Sequence, residues 1–235
     1  MSLPYFYSEQ VKKDNYIISL EEGPSRHITQ VLRMEPGERL LLTDGKGNVH
    51  SAEISQIHKK STGVKILSSV HSKQSTPGIS IAISLIKNTT RFEWFLEKAT
   101  EIGVNEIIPL LCERTEKHHF RLDRMKSILV SAMLQSQQAW LPELSEPRDL
   151  LKNFSQFKYP QKFIAHCEGT EKHAIRNVFE KDKDVFMLIG PEGDFTQKEI
   201  EEAIQNNFLP VTLGETRLRT ETAGIVAACL LKNLL

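Results

Sequence analysis

Two regimes of hydrophobic patterning divide the chain. Up to residue 73 the apolar positions come in short alternating or β-branched runs, at Glu38–Thr43, Val49–Ile54 and Val64–Leu67. Asp44-Gly45-Lys46-Gly47-Asn48 separates the first two runs, and Asp-Gly between such runs is a hairpin signal. These runs predict a small β-barrel, with one inserted helix from Ser25 to Met34, capped by Ser25 and stopped before Pro36. Beyond the polar stretch Ser72-Lys73-Gln74-Ser75-Thr76-Pro77-Gly78 the pattern changes. Buried-strand runs at 79–86, 105–111, 162–166, 185–189 and 211–213 alternate with helical periods at 91–102, 121–140, 171–179, 196–205 and 220–234. Such alternation builds a parallel sheet with helices on both faces. The expected organisation is therefore a β-barrel domain over 1–73 and an α/β domain over 74–235.

The chemistry concentrates in two loops of the second domain. The run Val185–Ile189 ends in Gly190-Pro191-Glu192-Gly193-Asp194-Phe195, and Thr196 with Glu199 is in capping-box register for the next helix. The run Val211-Thr212-Leu213 ends at Gly214, and Leu218-Arg219-Thr220-Glu221-Thr222-Ala223 leads into an apolar helix rich in small residues. Loops at the carboxyl ends of neighbouring parallel strands form the usual ligand crevice of an α/β sheet. Glycine lets a ligand approach the backbone, whose N–H and C=O groups can read an adenine edge. Neither Gly-x-Gly-x-x-Gly nor Gly-Lys-Ser/Thr is present, so dinucleotide and triphosphate sites are not indicated.

Composition narrows the picture only a little. Thirty basic and thirty acidic residues cancel, so a nucleic-acid surface would have to be local. Residues 1–73 carry ten Lys/Arg against eight Asp/Glu. Cys112, Cys167 and Cys229 lie far apart without metal-ligand spacing, which reads as reduced thiols. His118-His119, near Cys112 and Glu116, lacks a second ligand pair, so no metal is expected. Trp140 and Phe120 read as packing aromatics. No signal peptide or membrane-spanning run appears, and a cytoplasmic location is expected.

Four segments together resemble the RsmE family: Gly190-Pro191-Glu192-Gly193, then Leu213-Gly214 with Leu218–Ala223, the upstream Glu97–Val104 with Pro109, and His27–Met34. The resemblance covers nearly the whole chain. Members of that family are 16S ribosomal RNA uracil-N3 methyltransferases of the SPOUT superfamily. The resemblance implies a PUA-like barrel that helps to hold RNA, and a deep trefoil knot in roughly the last fifty residues. It also implies S-adenosylmethionine bent against the knotted loops, the small ribosomal subunit or its 16S RNA as substrate, and a homodimer. Cofactor contacts are expected from Leu188, Ile189, Gly190, Glu192, Gly193, Leu213, Gly214, Leu218 and Thr220, mostly through backbone atoms. At the glycines, an added Cβ is expected to fill ligand space.

Methylation at N3 needs a proton removed and a developing uracil anion stabilised. Arg219, permanently charged and planar, is the expected stabiliser. Glu192 and Glu221 are candidate proton acceptors or orienters of Arg219; Glu221 alternatively caps the last helix or pairs with Arg219. Arg26, Arg33, Lys46, Lys87, Arg91 and Arg114 are candidate RNA contacts, with Arg91 and Arg114 favoured by their place at strand ends. Asp194 stands where the family usually has a second Gly, and is expected to cap the following helix. Leu134 and Gln138 replace a Glu and an Arg common in the family. Two other readings stay open: a SPOUT enzyme acting on another RNA or on ribose 2′-OH, and a catalytically inactive RNA-binding dimer.

Overall fold

In the first unit the alternation of the short runs becomes one curled sheet, antiparallel except for its first strand, which runs parallel to its neighbour. The computed structural model describes residues 3–11, 16–58, 60–169 and 171–235. Met1–Gln74 and Met133–Leu141 form one compact unit, Ser75–Ala132 and Pro142–Leu235 the other. The first unit orders its strands β1 (Tyr5–Tyr7), β3 (Arg39–Thr43), β4 (Asn48–Ile57), β5 (Thr62–His71) and β2 (Ile17–Leu20). Leu40 faces Ala52 across β3 and β4, and with Leu42, Ile54 and Val64 they build a core from which water is excluded. The sheet ends at β1 and β2 among the described residues, giving a PUA-like half-barrel. At the β3–β4 turn, Asp44 accepts hydrogen bonds from the Lys46 and Asn48 amides, which fixes the predicted hairpin.

The inserted helix differs from its expected form. Helix α1 runs Glu22–Arg26 and continues as a π-helical turn over His27–Val31, so Ser25 lies inside it and caps nothing. Buried Ser25 instead donates to the Leu20 carbonyl and accepts the Thr62 amide, joining the end of β2 to the start of β5. The expected helix 121–140 also stops early. Helix α3 covers Leu122–Gln135, Gln137 turns left-handed (φ 54°), and the chain leaves for the first unit. There the Gly47 amide donates to Ala139, the Leu141 amide to Gly45, and the Trp140 indole to Ser72. A Cβ on Gly47 would stand 2.6 Å from the Trp140 ring, so only glycine admits that packing.

The second unit holds an all-parallel sheet. Its order is β11 (His173–Ala174), β13 (Leu209–Thr212), β10 (Gln161–Ala165), β12 (Val185–Ile189), β6 (Ile79–Ser84), β7 (Glu106–Leu111) and β8 (Glu143–Leu144), with β9 (Arg148–Asp149) also on β7. Every residue of central β6 and β12 is buried, as two helix-covered faces require. Helix α2 (Thr89–Ile102), capped by the Asn88 side chain, packs against α7 (Thr220–Leu234). There Gly224 lets the helices approach: a Cβ on it would meet the Phe95 ring at 2.6 Å. The expected α/β class with a preceding β unit is the observed one. The helix expected over 171–179 is a short strand, β11, followed by α5 (Ile175–Val178). Residues 143–156, left without elements by the sequence pattern, hold β8, β9, α4 (Leu150–Asn153) and a 3-10 turn.

Candidate functional site

Three adjacent strands, β13, β10 and β12, end beside one another, and the loops that leave them enclose a pocket of about 530 Å³. That volume suits a small cofactor. The loop after β12 forms a tight turn in which the Asp194 amide donates to the Pro191 carbonyl at 2.9 Å. Asp194 itself is left-handed (φ 63°), a conformation that Gly adopts freely and Asp tolerates, which accounts for either residue at this position. Its carboxylate does not cap the next helix; it accepts the Phe195 amide at 2.8 Å and the Cys167 amide at 2.6 Å. Thr196 and Glu199 cap α6 (Gln197–Gln205) as the predicted capping box, and Glu199 also accepts the Glu113 amide.

Further bonds hold this loop. Arg114 donates to the Gly193 carbonyl at 2.7 Å and the Phe195 carbonyl at 3.3 Å. Thr220, at the start of α7, donates to the Gly190 carbonyl at 3.0 Å. A Cβ on Gly190 would lie 3.1 Å from the Phe195 ring, and one on Gly193 would touch Arg114 at 3.4 Å. At Gly190 a protein ring, not ligand space, crowds an added Cβ, whereas at Gly193 the contact with Arg114 would be an ordinary van der Waals one. Gly214 differs from both. Its φ is +137° and the space above its Cα is open, so its backbone is bare toward the pocket.

Of the residues expected at the cofactor, Ile189, Gly190, Glu192, Leu213, Gly214, Leu218 and Thr220 line the pocket, as does Arg219. Leu188 lies in the core beneath it, and Gly193 stands just outside the lining. His166, Cys167 and Lys172, from the segment after β10, also line it. Sequence reasoning missed them, although the rule that ligands sit at strand carboxyl ends applies to β10 as much as to its neighbours. Burial, then the Lys172 charge, holds the His166 pKa below its usual value, while Asp194 opposes the shift. Burial raises the Cys167 thiol, with Asp194 adding to it.

The start of α2 borders the same loops. The Lys87 amide donates to Glu192 at 3.3 Å, and the Lys87 ammonium pairs with Glu116 at 2.7 Å, which raises its pKa. Glu221 pairs with Arg91 and not with Arg219, Nε to Oε1 at 3.6 Å. The Glu221 side chain is 8% exposed, and its Oε2 is buried without a hydrogen-bond partner. In the other unit, Arg26 pairs with Glu22, while Arg33 and Lys46 are exposed. Phe120 packs edge-on to Phe92, and Trp140 to His71, as packing aromatics. No group of three metal-ligating side chains and no helix able to cross a membrane occurs among the described residues.

Comparison with known proteins follows the same division. Residues 73–232 match the family model of an RNA methyltransferase domain, and residues 22–67 that of an RNA methyltransferase PUA domain. Ribosomal RNA small subunit methyltransferase E from Buchnera aphidicola is 28% identical over 236 residues, 96% of this chain and 94% of that protein. A probable rRNA-methyltransferase from Porphyromonas gingivalis has a TM-score of 0.92 and 35% identity, over 99% of this chain and 98% of that one. A ribosomal RNA small subunit methyltransferase E from Neisseria gonorrhoeae bound to S-adenosyl methionine has a TM-score of 0.88 and 28% identity, over 99% and 98%. The likeness runs the length of both chains, and the two-loop pocket lies within the segment that the methyltransferase model covers. The chain belongs to the RNA methyltransferase family, with the SPOUT fold, and within it to the RsmE group.

Proposed function

We propose that this protein transfers the methyl group of S-adenosylmethionine to N3 of a uridine in 16S ribosomal RNA, within the small subunit. The observation that carries the reading is the pocket walled by the loops after β12 and β13, in a chain alike over its whole length to a cofactor-bound relative. The residues fit that cofactor. Open backbone at Gly214, with apolar Ile189, Leu213 and Leu218, suits an adenine ring. Glu192 and Asp194 suit its cationic groups, and Lys172 or Arg217 its carboxylate. Gly193, Thr220 and Leu188 act from behind, as the turn, the tie to Gly190 and the floor of the loop.

When bound, the cofactor supplies an electrophilic methyl carbon on a sulfonium. The chain must then hold the uracil in line, stabilise the negative charge on its ring and take up the N3 proton. Arg219, exposed at the pocket and at the N-cap of α7, is the proposed stabiliser. Exposed Glu192 is better placed than Glu221 to take the proton, because Glu221 Oε2 is closed off. Among the basic residues, Arg33, Lys46 and Arg91 are proposed RNA contacts. Lys87 and Arg26 are held by acidic partners at 2.7 and 2.6 Å, closer than the 3.6 Å of Arg91 to Glu221, and Arg114 by the cofactor loop, so any contact these three make with RNA is secondary.

A trefoil knot in the last fifty residues, a homodimer and a cytoplasmic site of action complete the reading. The return of α7 over α2, β6 and β12, after β13 has been laid outside β10, supports the knot. The test is methyl transfer from labelled S-adenosylmethionine to small subunits lacking the modification, with nucleoside analysis. The expected product is 3-methyluridine, reduced at least about 100-fold in Arg219→Ala with cofactor binding kept. Cofactor binding without any 3-methyluridine would overturn the reading.

A further inference from the structure

A buried carboxylate with one oxygen unsatisfied is costly, and a site without a task for it would hold an apolar residue more cheaply. Glu221 is such a group. It lies in the first turn of α7, where the helix dipole favours its charge, yet its Oε2 has no hydrogen-bond partner. Its ion-pair contact is Arg91 Nε at 3.6 Å, across from α2. That contact engages Nε, and the Arg91 side chain is 40% exposed. The pair adjoins residues of the pocket along the chain: Thr220, which lines it, is bonded to the Gly190 carbonyl, and Glu192, which also lines it, accepts the Lys87 amide four residues before Arg91.

We infer that Arg91 is a second cation for the uracil ring, its fork aimed at a carbonyl oxygen next to N3, and that Glu221 is its positioning residue. Glu221 cannot be the group that touches the base, since Oε2 is inaccessible and Oε1 faces Arg91. A guanidinium held by its Nε on a fixed carboxylate presents its terminal donors in one plane, which suits a planar uracil edge. A negative charge that develops on O2 or O4 as the N3 proton leaves then meets a charge already in position. Arg91 thereby moves from a general RNA contact to a residue at the reacting ring. The neighbouring charged groups are Lys87 on its own segment, Glu116 and Lys117 after β7, Glu192 on the cofactor loop, and Arg219 on the approach to α7.

The inference rests on the uridine-N3 reading, and its test separates the two. Single-turnover methylation of 16S RNA in small subunits is followed from pH 6 to pH 10, at saturating cofactor, for the wild type, Arg91→Met, Arg91→Lys and Glu221→Gln. Cofactor affinity is measured in parallel by calorimetry. At pH 7.5 the expected rates fall about 100-fold for Arg91→Met and about tenfold for Glu221→Gln, with Arg91→Lys between them. Cofactor affinity should stay within about threefold. The discriminating readout is the pH profile. A variant lacking the cation needs more alkaline solution to ionise N3, so its rising limb moves to higher pH and the deficit shrinks there. A merely structural clamp between α2 and α7 would lower the rate equally at every pH, or weaken cofactor binding as much as the rate. Either result in Arg91→Lys or Glu221→Gln would overturn the inference and leave the reaction class standing. A wild-type protein that binds cofactor but makes no 3-methyluridine would remove both.

Discussion

Arg33 and Asp194 share a backbone conformation and almost nothing else. Both are non-glycine residues in left-handed geometry, φ 54° and φ 63°, one after the π-turn of the β unit and the other in the cofactor loop. For an L-residue that conformation costs roughly 1–2 kcal/mol. Asp194 recovers the cost inside the chain, through its hydrogen bonds from the Phe195 and Cys167 amides. Among the described residues Arg33 has no side-chain bond that recovers it: it is exposed, and the hydrogen bond that closes its turn, Met34 amide to Ile28 carbonyl, is backbone only and would serve glycine as well. The pair teaches how to read strain. Where internal bonds account for it, the residue holds the site together; where none do, strain is a reason to propose a partner outside the chain, here RNA.

The largest effect expected from this contrast is at Asp194. Asp194→Ala removes both hydrogen bonds and keeps the unfavourable φ, so the second unit should lose about 2–4 kcal/mol in denaturant unfolding. Cofactor affinity should fall at least about tenfold, because the turn no longer holds the segment after β10. Asp194→Gly keeps the backbone freedom without the bonds and should lie between Ala and wild type. Equal losses for Ala and Gly would show that backbone conformation contributes nothing there.

Arg33→Gly should act in the opposite direction on stability. Relief of the left-handed strain, offset by glycine's greater unfolded-state entropy, should stabilise the β unit by about 0.5–1 kcal/mol. RNA affinity should fall about five- to tenfold, with the salt dependence flattened by roughly one counterion. Cofactor affinity should not change. A variant that is more stable and binds RNA as well as the wild type would break the comparison, because Arg33 would then be strained for no purpose.

What the chain's sequence made legible follows from how local each determinant is. Val185–Ile189 and Ile79–Ser84 read as buried parallel strands because both faces are covered, and the Thr196–Glu199 capping box is complete within four residues. The Gly190–Gly193 and Leu213–Gly214 loops were identifiable because glycine marks where backbone bends. The Arg91–Glu221 pair was not, because its members stand 130 positions apart and meet only through the packing of α2 on α7. The end of α3 at Gln135 was invisible for a related reason. The stretch 136–140 keeps a helical pattern in part, but Ala139 and Trp140 are claimed by Gly47 and Ser72. Ser25 looked like a cap because hydroxyls usually are, and lost that role to a helix that starts at Glu22.

The smallest effect concerns the charge of Asp194. His166 has its pKa lowered by burial and then by Lys172, and Asp194 is among the groups that resist the shift. His50, in the core of the β unit, is also lowered by burial, with Asp44 opposing. A histidine depressed in the folded state favours folding fully above its unfolded pKa of about 6.5 and loses that contribution as pH falls through the folded value. Asp194→Asn keeps a side chain that tolerates the left-handed geometry, removes the charge and gives up one of the two accepted hydrogen bonds, so the His166 pKa should fall further. The acid loss of stability in the second unit should then extend to lower pH, while the His50 titration stays in place. Proton NMR titration of both imidazoles reads this directly. Equal movement of the two would mean that Asn had disturbed the fold as a whole, and that Asp194 acts on His166 through structure and not through its field.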